Sequence, residues 1–91
     1  MKKAEMLNLK VGSKIENKKG TWVVEEISFE VFEDGKYMYG SNNCENYQET
    51  QFDIHEDRKK VVRFYLHNSD TKANTLLRES TIKDCFKVVE Y

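Results

Sequence analysis

Only a few side chains in this chain have the chemistry of nucleophiles or metal ligands. Cys44, His55, His67 and Cys85 stand with ten, eleven and seventeen residues between them. A zinc site is normally built from close pairs, two to five residues apart, and no such pair occurs here. Four glycines form neither a dinucleotide fingerprint nor a phosphate-binding loop. Carboxylates are plentiful, but no nucleophile, base and orienting group can be assembled around them, so the expectation is a protein that is not an enzyme and holds no cofactor or metal. The two cysteines are far apart in a chain without a secretion signal, and are read as reduced thiols.

Recognition chemistry is better represented. The segment Tyr37–Gln51 gathers Tyr37, Tyr39, Asn42, Asn43, Tyr47 and Gln48, a composition typical of binding loops. Tyrosine offers large contact area at low entropic cost, and amides adapt their hydrogen bonds. Ahead of it runs an acidic stripe, Glu25, Glu26, Glu30, Glu33 and Asp34, uninterrupted by any base. With Glu30 and Glu33 these polar and aromatic residues form a candidate protein-binding site. Arg58, Lys59, Lys60 and Arg63, with Tyr65 and His67 beyond them, form the alternative, a nucleic-acid or phosphate site of salt-sensitive affinity. A third option is an oligomeric, nucleotide-sequestering barrel with Arg63, Tyr65 and His67 at a subunit boundary.

The elements that position these residues follow from periodicity. Residues 20–36 read GTWVVEEISFEVFEDGK, with Trp22 and Val24 on even positions and Ile27, Phe29 and Val31 on odd ones. One extra residue in a strand turns every later side chain to the opposite face, so a bulge at Glu25–Glu26 is needed to keep all five in one core. The same bulge bends the strand, which lets it serve both halves of a small barrel. Asp34-Gly35 predicts a type I′ hairpin, because both residues tolerate positive φ. Lys36–Gly40 returns as a strand, 41–50 reads as a loop, and Gln51–His55 with Lys60–His67 reads as a second hairpin. Val62, Phe64 and Leu66 point one way from that strand, and Val61, Arg63, Tyr65 and His67 the other. Residues 2–9 predict a turn of helix, 75–79 a strand or the end of a helix, 80–84 a single capped turn, and 86–91 the closing strand.

The stretches L9-K-V-G-S-K-I15 and G20-T-W-V-V-E-E-I27, together with T81-I-K-D-C-F-K-V88, resemble SH3-like small barrels. The resemblance implies an all-β chain forming a small five- to six-stranded barrel. Its second strand is bent and bulged, a short turn of helix opens the chain, and a 3-10 turn precedes the last strand. No ALYDY-like motif or proline-binding tryptophan pair is present, so binding of proline-rich peptides is not implied. The proline-free, Lys/Asn/Glu/Tyr-rich composition also resembles small accessory proteins of phages and mobile elements, many of which inhibit host enzymes or defence complexes.

Ninety-one residues suffice for one domain, 1–91. A net charge of −1 disfavours bulk electrostatic binding to nucleic acid but leaves local patches open. No apolar run is long enough to cross a bilayer, and the opening MKKAEMLNLK lacks an apolar signal core, pointing to a cytoplasmic chain without membrane contact. The expected partner is another protein, with nucleic acid second. Opposite charge on two faces also allows a homodimer.

Overall fold

A computed structural model describes residues Met1–Tyr91. The elements run α1 (Lys3–Met6), β1 (Lys14–Asn17), β2 (Gly20–Glu33), β3 (Lys36–Cys44), a 3-10 turn (Tyr47–Thr50), β4 (Arg58–His67), β5 (Asn74–Arg78), α2 (Glu79–Cys85) and β6 (Lys87–Glu90). The chain is mainly β, and its six strands form one antiparallel sheet of order β5-β4-β2-β1-β6, with β3 also on β2. No helix is long and apolar enough to cross a membrane.

β2 organises the sheet because it changes partner along one edge while β4 follows its other edge. Residues 20–23 pair with β1, and Ile27–Glu33 pair with β3. Between them lies the bulge that the slipped periodicity demands. Val24 pairs with Leu66 and Glu26 with Tyr65, so Glu25 is the unmatched residue. Glu25 is exposed, whereas Glu26 is half-buried on the outer face beside Tyr65. The slip delivers Trp22, Val24, Ile27 and Val31 to the core together, and Phe29 packs against it. Trp22 keeps its indole N–H satisfied by donating to Asn17 Oδ1 at 2.9 Å.

Val62, Phe64 and Leu66 of β4 lie directly beside Phe29, Ile27 and Val24 on the same core-facing side of the sheet, as their alternation requires. α1 contributes buried Met6, and α2 contributes Ile82. The hairpin at Asp34-Gly35 has φ of 51° and 77°, the sign that a type I′ turn needs.

Three stretches differ from expectation. β3 continues to Cys44, because buried Cys44 pairs with Ile27 and the following 3-10 turn buries Tyr47 and Thr50. Residues 41–50 are therefore strand and anchored turn, not a free loop. Gln51–His55 forms no strand. Its Phe52 packs edge-on against Phe29 at 5.0 Å, and the Lys60 ammonium takes the Thr50 and Phe52 carbonyls, which replaces ladder bonding. The turn before the last strand is a seven-residue α-helix, with the 3-10 turn at 47–50 instead, whereas 74–78 takes the strand alternative expected for 75–79. Buried Ile82 and the Tyr47–Glu79 hydrogen bond, 2.5 Å, hold that helix on the core.

Candidate functional site

The bulge fixes which side chains leave the core. After it, Glu26, Ser28 and Glu30 point outward from β2, opposite Tyr65, Arg63 and Val61 of β4. β5 adds Leu76 beside Tyr65, and β3 adds Gly40 beside Glu30. These residues, apart from Val61, line with Phe29, Tyr37, Ser41 and Asn42 a groove of about 430 Å³ on the outer face of the curved sheet. Glu30 and Arg63 form an ion pair across its floor. Both are about one-third exposed, so the pair orients the two side chains more than it stabilises the fold.

Gly40 gives the groove its depth. A Cβ at this position would stand 2.4 Å from the Phe29 carbonyl oxygen and 3.2 Å from the Tyr37 hydroxyl. Only glycine permits that approach, and it lets the tyrosine lie along β3. Tyr37 is 57% exposed and Leu76 55% exposed, while Tyr65 is half-buried between them and the charges. The groove thus combines apolar contact area, a fixed carboxylate and guanidinium, and the adaptable amide of Asn42.

Of the residues singled out in the sequence, Tyr37, Asn42 and Glu30 from one candidate site and Arg63 and Tyr65 from the other meet in this single groove. The others go elsewhere. Tyr39 projects from the opposite face of β3, edge-on to Phe29 at 6.3 Å. Asn43 and Gln48 are exposed outside the groove. Tyr47 is buried, stacked on Phe64 at 5.7 Å with its hydroxyl donating to Glu79, and so is a core residue. Burial first, and then the Glu79 carboxylate, raise its phenol well above the usual range.

The basic cluster is dispersed by its own strand. Arg58 pairs with Glu33 at 3.4 Å near the hairpin end. Lys60 points to the core side, where its ammonium serves two carbonyls and lies 4.4 Å from the centre of the Phe52 ring. Lys59 is exposed. His67 Nδ1 lies 2.8 Å from Asn74 Oδ1, and His55 stands apart beside Asp57. Cys44 is buried and Cys85 exposed. Burial, aided by Glu49, pushes the Cys44 thiol up and keeps it unreactive.

The groove residues missed in the sequence were Ser28, Gly40, Ser41 and Leu76, and Glu26 was read only as part of the acidic stripe. For Glu26 and Ser28 the signal was present, since post-bulge even positions of β2 share the outer face. Gly40 and Leu76 depend on strand pairings that no local pattern specifies.

The chain matches no family model, no curated protein and no solved structure.

Proposed function

We propose that this protein is a non-catalytic interaction module, an SH3-like small barrel that binds another protein through the groove on the outer face of its sheet. The observation that carries this reading is the convergence of Tyr37, Tyr65 and Leu76 around the Glu30–Arg63 pair. Buried contact with tyrosine and arginine dominates many protein interfaces, and the groove offers both within one concave surface. Nucleic acid is the weaker candidate, because Arg58, Lys60 and Arg63 already have partners within the fold and Lys59 alone projects free. The compositional likeness to accessory proteins of phages and mobile elements suggests a host enzyme or defence complex as the partner, with inhibition as the outcome.

The test is affinity capture from a bacterial lysate with the parent protein, Tyr37→Ala, Tyr65→Ala and, as a distant control, Lys14→Ala. The expected result is a captured protein retained by the parent and the control and lost by both tyrosine variants. Capture unchanged in the tyrosine variants overturns the reading.

A further inference from the structure

β5 forms one wall of the groove and is also an end of the sheet, with β4 on one side and no strand on the other. Its pairing with β4 is regular over five residue pairs, without a bulge. Asn68 N–H donates to Ala73 C=O where the two strands begin to pair, at 2.9 Å. Antiparallel ladders alternate bonded and non-bonded pairs, so Thr75 and Leu77 spend their backbone groups on Leu66 and Phe64. Asn74, Leu76 and Arg78 consequently turn their N–H groups outward, as Asn74 and Leu76 do their carbonyls. That leaves a row of unsatisfied donors and acceptors at the rim of the groove. β3, the other long strand with one neighbour, is interrupted by two register shifts against β2, a device that spoils an edge for further pairing.

Between Lys72 and Arg78 the charge along this edge has one sign, and of the flanking acids Asp70 and Glu79 the latter is engaged by Tyr47. Arg78 stands directly opposite Arg63, and like charges in that arrangement repel. Glu30 answers Arg63, but no acidic group pairs with Arg78. Exposed Lys72 precedes the strand, and exposed Leu76 lies between the two cations. A second copy of the chain laid antiparallel on this edge, with Asn74 bonded to Leu76 of the other copy, would bring Lys72 of each copy opposite Arg78 of the other, setting like charges together.

We propose that the partner adds a strand to β5, and that this strand is an extended segment of another protein whose outer-face positions, every second residue, alternate between acidic and apolar side chains. Backbone bonds to Asn74, Leu76 and Arg78 supply register-defined affinity. An apolar side chain packs beside Leu76 and Tyr65, and a carboxylate sits against Arg78, relieving its repulsion with Arg63. The inference rests on the reading of this face as a protein-binding surface and specifies the partner's chemistry.

The test uses the 15N-labelled full chain and an acetylated, amidated peptide of repeating Val-Thr-Glu-Thr, which sets Val and Glu on one face. A peptide of repeating Val-Thr-Lys-Thr serves as comparator, together with Val-Thr-Glu-Thr peptides N-methylated at every second residue in each phase. The expected result is amide shifts and slowed exchange at Asn74, Leu76 and Arg78 with the acidic peptide, and loss of binding in one N-methylated phase. Arg78→Glu should weaken the acidic peptide by about tenfold and favour the basic one, with Arg78→Gln intermediate if the reversed charge unfolds the chain. Equal response to both peptide charges, shifts confined to β3 or β6, or β5 amides protected by self-association without peptide would each overturn it. Shifts at Tyr37, Glu30 and Asn42 without β5 would leave the groove standing and remove only the added strand. Shifts at β5 alongside capture that ignores the tyrosines would do the reverse.

Discussion

Deleting Glu25 should unfold this protein, although replacing it should do almost nothing. Glu25 is exposed and unmatched in the ladder with β4, so its side chain contributes little. Its presence in the backbone sets the phase of everything on either side. Without it, either Ile27 and Val31 or Trp22 and Val24 must turn outward, and all four are buried. The less damaging outcome expels Trp22 and Val24. Large-to-small changes at buried aromatic sites cost about 3–5 kcal/mol, and full exposure of a valine adds roughly 1.5 kcal/mol. The sum, about 4.5–6.5 kcal/mol, matches the whole stability expected of a domain this size, roughly 5 kcal/mol. Loss of the backbone bonds between Val24 and the Gly12–Ser13 segment, 2.8 and 2.9 Å, adds to it. Urea denaturation followed by far-ultraviolet circular dichroism is the assay, with Glu25→Ala as the control. The control should stay within about 0.5 kcal/mol of the parent, as surface substitutions do. A deletion variant that unfolds cooperatively with less than about 1 kcal/mol lost would refute the bulge as the device that holds the core in phase.

Three further outcomes are expected. Lys60→Met removes the cation that serves the Thr50 and Phe52 carbonyls, and should lower stability by about 1–3 kcal/mol in the same urea assay. Gly40→Ala places a methyl against the Phe29 carbonyl, a backbone atom that cannot swing aside, and should destabilise by about 1–3 kcal/mol in thermal denaturation. Folding raises both the Cys44 thiol and the Tyr47 phenol, so the unfolded chain releases these protons first. Stability should accordingly be flat with respect to these groups below their ordinary values of 9.0 and 10.0, and fall as pH rises beyond each. Melting curves from pH 8 to 11 should show that slope, reduced in Tyr47→Phe above pH 10.

The parts of this molecule legible in the sequence are those governed by side-chain alternation. The phase slip located the bulge, and the residues of β4 assigned themselves to two faces. Asp34-Gly35 marked a turn whose φ values only a few residues accept. Local pattern failed where a distant contact decides the structure. Tyr47 sits in a polar stretch and looks like a surface residue, yet Phe64 and Glu79 draw it into the core. Gln51–His55 alternates like a strand, but Lys60 satisfies the carbonyls of Thr50 and Phe52 from another element. The basic run 58–63 looked like one patch, and strand geometry sent alternate members to opposite faces. Half of the groove was visible for the same reason: Glu30, Arg63 and Tyr65 follow from parity, whereas Leu76 enters only through the β4–β5 pairing.

The placement of Trp22 decides what an optical experiment on this protein can see. It is the single tryptophan, 5% exposed, on the pre-bulge half of β2 with its indole tied to Asn17, and it lines no part of the groove. Its emission should be blue-shifted and should report loss of the folded state with high contrast. For a ligand seated in the groove it is a silent chromophore, and an unchanged tryptophan spectrum carries no information about binding. The informative intrinsic fluorophores there are tyrosines, since Tyr37 and Tyr65 are two of the five in the chain.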